Sequence, residues 1–227
     1  MPELSFSVET AGAVPFCASP TLAFLLRIDN LPAGEVIHTV ALRCQIQIEA
    51  SRRRYGPEEQ ARLKDLFGDP DRWSSTVRAL LWTHVGIVVP AFTGTTTVEL
   101  PVSCTFDFNV AATKYFHGVS EGDLPLCFQF SGTVFYEGDG GALQVAPISW
   151  TKEARFRLPV AAWREVMAAY YPNSAWLCLG RDTFDRLYGY KVKSGTPTWE
   201  QTIDRLLPPA DAEPDWHIAD KEAAVKT

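Results

Sequence analysis

The sequence predicts an α+β protein made mainly of antiparallel strands, with a β-sandwich-like body followed by a helical C-terminal cap. Apolar and polar residues alternate at every second position in several segments, which is the period of a strand with one buried face. Turn-forming glycines separate those segments, as in antiparallel sheets. After Pro159, the apolar spacing changes to that of an amphipathic helix.

The first strands come early in the chain. Apolar residues alternate over residues 4–8, and residues 22–28 are apolar at nearly every position. The clearest pattern predicts a strand over about residues 36–50. Its even positions from Val40 to Ile48 are apolar, whereas its odd positions from Arg43 to Glu49 are polar. We therefore expect the even-numbered side chains of this strand to line the core.

A short helix and the remaining strands of the body follow. The helix is predicted to begin at Pro57, because proline suits the first helical position, and to end at Gly68. Further strands are predicted over about residues 77–90, 98–108, 126–136, 143–150 and 154–158, with a hairpin turn over residues 137–141.

The C-terminal part of the chain is predicted to be mainly helical. Helices are predicted over about residues 160–170, from Asp182 to Gly195, and from Pro197 to Leu206, with a short strand at residues 176–179 between the first two. The predicted organisation is a body over residues 1–158, a cap over residues 159–207 packed on it, and a disordered tail over residues 208–227. The tail is rich in Ala, Asp, Glu and Lys, which cannot supply a core.

Composition narrows the classes of function. The chain of 227 residues has a net charge of −6, which argues against nucleic acid as a partner. Its first residues lack the basic and apolar regions of a signal peptide, and its longest uncharged stretch contains Gly and Pro, so we expect neither secretion nor membrane insertion. Five scattered cysteines then predict reduced thiols in a cytoplasmic protein. We predict that Cys127 and Cys178 are the exposed thiols, because both lie out of phase with the main apolar faces.

The run Arg52-Arg53-Arg54 is the candidate partner-binding site. Three adjacent guanidinium groups repel one another unless an acidic surface meets them, so the run could dock an acidic partner protein. The alternative is a solvated charge run at the end of a strand. On either interpretation, replacing all three arginines should change the stability of the fold little.

His84 and His117 are the candidate residues of a polar pocket. Both lie among apolar residues, where a lone histidine is usually a hydrogen-bonded structural residue. Neither has neighbouring Cys, His or carboxylate residues at the spacing of a metal site, so we predict no bound metal and no cofactor. The sequence also contains no Gly-x-Ser-x-Gly motif, and its Gly138–Gly141 run is followed by a strand instead of the helix of a phosphate-binding loop.

Several segments together resemble a bacterial family known only as a domain of unknown function. These segments are residues 41–46, 52–55, 81–84, 92–94, 130–135, 181–184 and 197–199. The resemblance extends to about Leu207. It implies a gene neighbourhood shared with an actinobacterial-type [NiFe] hydrogenase and its maturation proteins, and it supplies no catalytic residues.

Two hypotheses of function remain open. The first is a non-enzymatic cytoplasmic accessory protein that binds another protein, which could be a hydrogenase subunit or a maturation factor. The second is a small-molecule-binding or hydrolytic domain with a pocket under the helical cap. A continuous exposed patch of aromatic and arginine side chains without a deep polar pocket favours the first hypothesis. Convergence of His84, His117 and one of the loop acids on a single cleft favours the second.

Overall fold

The computed structural model describes residues 2–107, 110–174 and 176–208, and it confirms a mainly antiparallel α+β fold with a C-terminal helical region. Contacts divide the chain into two compact units, Met1–Leu177 and Cys178–Thr227. The tail that the sequence predicts to be disordered lies, from residue 209 onward, outside the described residues. The packing of a cap on the body stays a prediction.

Among the described residues of the first unit, nine strands make two open sheets. The strands are β1 (Glu3–Ala13), β2 (Thr21–Leu31), β3 (Val36–Ile48), β4 (Leu80–Val89), β5 (Phe92–Thr93), β6 (Thr95–Ser103), β7 (Asp123–Glu137), β8 (Leu143–Pro147) and β9 (Glu153–Pro159). The smaller sheet has the order β1-β2-β6. The larger has the order β4-β3-β7-β8, in which β5 also pairs with β3 and β9 with β7. All of these pairings are antiparallel.

Strand β3 has the alternation that its sequence predicts. Leu42 is 1% exposed, and every even position from Val40 to Ile48 is buried, whereas Arg43 is exposed. The strand is central because β4 pairs along one edge and β7 along the other. From Ala41 to Gln47, its odd-numbered side chains therefore point away from the core, across the middle of the larger sheet. Before the register shift between Ile37 and Thr39 the phase is reversed, so Ile37 is buried and His38 is exposed, contrary to the prediction for this end of the strand.

Aromatic side chains join the inner faces of the two sheets. Phe6 of β1 stacks on Phe130 of β7 with 4.2 Å between ring centroids, and Phe24 of β2 meets Phe128 of β7 edge-on at 5.1 Å. Such pairs stabilise a core beyond the area that they bury. Aromatic side chains of the body thus fill the space between the two sheets.

The described part of the first unit also contains the α-helices α1 (Pro57–Phe67), α2 (Trp73–Thr76), α3 (Ala111–Gly118) and α4 (Val160–Tyr170). Helix α1 begins and ends where the sequence predicts, and its C-cap Gly68 has a φ of 74°, which glycine adopts without strain. Helix α4 packs with the sheets through Trp163 and Met167, both of which are buried.

Helix α3 is an element that the sequence analysis did not predict. Its Phe116 is 4.9 Å from Trp82 of β4 and stacks at 5.0 Å on Trp163 of α4. The preceding strand, β6, ends at Ser103, so the predicted strand over residues 98–108 is too long. The strand predicted at residues 176–179 is reduced to a single bridge between Asp107 and Trp176.

The second unit contains α5 (Arg181–Ser194) and α6 (Trp199–Asp204), close to their predicted bounds. Gly195 ends α5 in the left-handed conformation, with a φ of 64°. Thr198 caps α6 by accepting a hydrogen bond from the N–H of Gln201. The cap at Gly195 explains why the end of α5 could be predicted from one residue. The predicted starts are slightly wrong, because Gly180 is the N-cap of α5 instead of Asp182, and α6 begins at Trp199 instead of Pro197.

Candidate functional site

The three adjacent arginines have three different environments. They follow β3 in a 3₁₀ turn, Ala50–Arg52, and the extended residues after it. Arg52 is exposed and forms an ion pair with Glu49 at 3.0 Å, and Arg54 is also exposed. The side chain of Arg53, by contrast, is only 9% exposed.

Arg53 forms a bidentate ion pair with Glu59 of α1. Its two terminal nitrogens donate to the two carboxylate oxygens at 2.8 Å each, and one of them also donates to the carbonyl oxygen of Glu121. The N–H of Ser120 donates to the same carboxylate at 2.8 Å. Arg53 therefore ties the end of β3 to α1 and to the loop after α3.

The hydrogen bonds of this ion pair stabilise the charged form of the Glu59 carboxylate. Burial alone would raise the pKa of Glu59, but the hydrogen bonds from Arg53 and Ser120 outweigh it and lower that pKa to about 2. Below the pair, the hydroxyl of Tyr55 donates to the carbonyl oxygen of Ala50 at 2.6 Å. Arg53 thus forms a structural contact, whereas Arg52 and Arg54 point to solvent. Contrary to the expectation from the sequence, we therefore expect replacement of all three arginines to destabilise the fold through the loss of Arg53.

The outer face of the larger sheet is defined by the side chains that point away from the smaller sheet. At one end it presents apolar groups: Val88 of β4 is 74% exposed and Val145 of β8 is 58% exposed. At its centre, a polar ladder crosses three strands, because His84 lies 3.0 Å from the amide oxygen of Gln45, whose amide nitrogen donates to Gln129 at 3.2 Å. The face therefore changes from apolar to polar along its strands.

A basic pocket of about 370 Å³ occupies the other end of this face. It is lined by Glu49, Arg52, Pro125, Leu126, Arg155, Phe156 and Arg157. Strand register brings its arginines together, because Arg157 pairs with Pro125 in β7, next to the end of β3. Arg155 pairs with Glu153 at 2.8 Å and approaches Glu49 at 3.6 Å.

Cys127 lies under these charged side chains. It belongs to the outer face, but it is only 4% exposed, because Glu153 and its neighbours cover it. Burial, followed by the charges of Glu153 and Glu49, raises the pKa of its thiol. The prediction that Cys127 is exposed is therefore wrong, whereas Cys178 is exposed as predicted.

The two candidate histidines lie on different sides of the larger sheet. His84 is exposed on the outer face, whereas Trp82 of the same strand turns inward to Phe116, next to His117. The pairing of β4 with β3 shifts between Leu81 and Thr83, so Trp82 is the extra residue of a bulge and can turn inward although His84 points outward. The structure therefore does not bring His84 and His117 into one pocket.

His117 lines a cavity of about 480 Å³ within the first unit. Its ring lies 4.9 Å from Trp163 and 5.4 Å from Phe106, and Arg164 and Tyr171 line the same cavity. Burial, with a smaller effect of the Arg164 charge, lowers the pKa of His117. The imidazole is therefore held neutral near pH 7.

Metal-ligand geometry gives no further candidate in the described part of the chain. Within residues 2–107, 110–174 and 176–208, no three His, Cys, Asp or Glu side chains are grouped so that they could hold a metal ion. None of the helices in the same ranges combines the length and apolar character needed to cross a bilayer.

Sequence reasoning missed Arg155 and Arg157. The available signal was the alternation of β9, which places both residues on the polar face of that strand. Their proximity to Arg52 depends on the pairing of β9 with β7 and of β7 with β3, and neither pairing can be read from a single strand.

Comparison with known proteins places the chain in a family without assigning an activity. A putative late embryogenesis abundant protein is 14% identical over 70% of this chain and 72% of its own, with a TM-score of 0.33. The CARDB domain of a Pyrococcus furiosus protein is 9% identical over 70% of this chain and 92% of its own, with a TM-score of 0.26. A putative ApaA protein from Bordetella pertussis is 18% identical over 69% of this chain and 93% of its own, with a TM-score of 0.22. Likenesses this distant carry no functional argument.

The search of curated proteins found no match. A family model does match, and it extends over residues 1–215, which is most of the sequence. The chain therefore belongs to DUF6084, a family of unknown function.

Proposed function

We propose that this protein is a non-catalytic binding protein that docks on another protein through the outer face of its larger sheet. The observation that carries the proposal is the composition of that face. Exposed apolar side chains, a ladder of amide and imidazole groups, and an arginine-lined pocket follow one another on one continuous sheet surface. Protein interfaces combine these groups, with arginine enriched and water excluded around apolar contacts.

The exposed apolar end supports the choice of a protein as the partner. Val88, Val145 and Leu143 are all more than half exposed, and strand register places all three on the outer face. Apolar side chains grouped on a sheet surface and bordered by polar groups are typical of a contact with another protein. The partner would cover this end of the face and pair with the polar groups beyond it.

The partner that we propose is a subunit of a [NiFe] hydrogenase or one of its maturation factors, met in the cytoplasm. This choice rests on the gene neighbourhood that the resemblance of the sequence segments implies. The docking face and the identity of the partner are separate parts of the proposal, and each has its own test.

Site-specific crosslinking tests the docking face. A photo-crosslinking residue at Gln45, at the centre of the outer face, should capture a partner in the native host, whereas one at Thr97, on the outward side of the smaller sheet, should not. The captured protein is then purified, and its affinity for wild type and for Val88→Glu is measured. We expect the variant to bind at least about tenfold more weakly, because it places a charge in the apolar contact.

Two outcomes would contradict this assignment. Equal capture from Gln45 and Thr97 would show that the outer face is not the docking face, as would an unchanged affinity of Val88→Glu.

Deletion of the gene tests the identity of the partner. The deletion should lower hydrogenase activity in the host. Wild-type hydrogenase activity in the deletion strain would show that the partner is not a hydrogenase, but it would leave the docking face unaffected.

A second candidate function is favoured by the cavity at His117. A neutral imidazole beside Trp163 and Arg164 could accept a proton from a small molecule held against the aromatic rings. This is the small-molecule-binding or hydrolytic alternative. It predicts that activity towards a panel of p-nitrophenyl esters is lost in His117→Ala and kept in His84→Ala. Equal activity in the two variants and in wild type, after subtraction of the uncatalysed rate, would reject it.

A further inference from the structure

The basic pocket concentrates positive charge on a protein that is negative overall. The chain has a net charge of −6, yet three arginines line this pocket with a single carboxylate, that of Glu49. Glu153 pairs with Arg155 from the side of the pocket. Among the described residues, Arg157 forms no hydrogen bond or ion pair with another side chain, so its guanidinium keeps its donors for a ligand.

Glu49 indicates which ligand chemistry the pocket accepts. Its carboxylate lies between Arg52, at 3.0 Å, and Arg155, at 3.6 Å, so one acidic group already bridges two of the three guanidiniums. The planar guanidinium fork fits a carboxylate through paired hydrogen bonds. A second carboxylate that enters the pocket would meet Arg157 and the exposed side of Arg52.

The position of the pocket on the outer face gives the ligand a direction. Glu49, which follows β3, lines the pocket. At the apolar end of the face, Val88 of β4 pairs with Ala41 of β3, which is eight residues before Glu49. At a rise of about 3.3 Å per residue, the two ends are roughly 26 Å apart. The ladder of His84, Gln45 and Gln129 lies between them.

We propose that the basic pocket binds the acidic side chains of an extended segment of the partner protein, whose apolar residues continue along the outer face towards Val88 and Val145. This inference deepens the proposed function and depends on it, because it gives the docking segment a charge and an orientation. A partner with a compact acidic surface would meet the pocket but not the apolar end, whereas an extended segment reaches both.

Peptide binding to the purified protein tests the inference directly. The probe is a fluorescein-labelled peptide of about ten residues, long enough for the roughly 26 Å span, with three Glu at one end and three Val at the other. The control peptide has the same composition with the two residue types mixed. We expect the ordered peptide to bind at least about fivefold more tightly by fluorescence anisotropy, and we expect its affinity to fall as salt rises.

Variants of the pocket give effects of opposite sign. Arg157→Gln should weaken binding of the ordered peptide about tenfold, because it removes the arginine that no internal carboxylate neutralises. Glu49→Gln should strengthen it, because it removes the carboxylate that competes for Arg52 and Arg155. Arg27→Gln, which removes an exposed arginine on the outward side of the smaller sheet, is the matched control and should change the affinity less than about twofold.

Three results would overturn the inference. They are equal affinities for the two peptides, weaker binding by Glu49→Gln than by wild type, and displacement of the peptide by inorganic phosphate at equal concentration, which would identify a general anion site. All three leave the crosslinking test of the outer face unaffected. Conversely, peptide binding that requires Arg157, together with equal crosslinking from Gln45 and Thr97, would show that the pocket binds acidic segments although the proposed docking face is wrong.

Discussion

Replacement of Arg53 by glutamine should lower the free energy of unfolding by about 3 kcal/mol. The pKa of Glu59 is about 2 in the folded protein and 4.5 as an ordinary side chain, and each unit of difference corresponds to about 1.4 kcal/mol. Removal of one partner from a buried ion pair costs about 3–5 kcal/mol, because it leaves an uncompensated charge. The hydrogen bonds from Ser120 to Glu59 remain in the variant, so we take the lower value.

Urea unfolding monitored by tryptophan fluorescence measures this loss. Arg52→Gln and Arg54→Gln are the matched controls, since both remove an exposed arginine from the same run, and each should change stability by less than about 0.5 kcal/mol. For a chain of this length, the loss in Arg53→Gln corresponds to a melting temperature lower by roughly 6–12 °C. If Arg53→Gln and Arg54→Gln unfold at the same urea concentration, the ion pair with Glu59 does not stabilise the fold.

The same ion pair predicts how stability depends on pH. Because the folded state lowers the pKa of Glu59, the stabilisation is fully present above about pH 4.5 and is lost as the pH falls towards about 2. The difference in unfolding free energy between wild type and Arg53→Gln should therefore shrink over that interval. A difference that stays constant from pH 6 down to about pH 2 would exclude the Glu59 carboxylate as its cause.

Three further predictions concern the core, the thiols and metal content. Leu42→Asp should abolish soluble expression because it buries an unpaired charge. Gln45→Asp, on the opposite face of β3, should lower the melting temperature by only a few degrees. Two soluble variants with equal melting temperatures would contradict the orientation of β3. A thiol-reactive dye should label Cys178 in the native protein, and it should label Cys44 and Cys104 only after denaturation. Burial raises the pKa of both of these thiols to about 12, so they are protonated as well as inaccessible. Rapid labelling of either buried thiol in the native protein would contradict this prediction. Elemental analysis should find well under one equivalent of zinc, nickel or iron, and stoichiometric metal that His84→Ala or His117→Ala abolishes would contradict the prediction.

Much of the fold could be predicted because its signals are local. The two-residue alternation of β3 reflects a strand with one face against the sandwich core, and a shift by one residue would bury Arg43 and expose Leu42. The ends of α1 and α5 follow from Gly68 and Gly195, which occupy positive φ values at low cost.

Helix α3 lacks such signals. It has eight residues, no side-chain N-cap and no glycine at positive φ to end it. Its burial comes from contacts with β4 and α4 that are distant in the chain, such as those of Phe116. Tertiary packing therefore decides this segment, and the apolar residues after Ser103 are equally compatible with a longer strand when they are considered alone.

The arginines show why a charge run is a poor guide to a binding surface on this fold. Residues adjacent in an extended or turning chain point in different directions, so Arg53 turns into the ion pair with Glu59 while Arg52 and Arg54 face solvent. Residues two apart on a strand share a face, and Arg155 and Arg157 have this spacing. The pairing of β9 with β7 and of β7 with β3 then brings both of them beside Arg52. The period-two rule that predicts the core therefore also applies to the charged surface, but it identifies a pocket only when the register between strands is known.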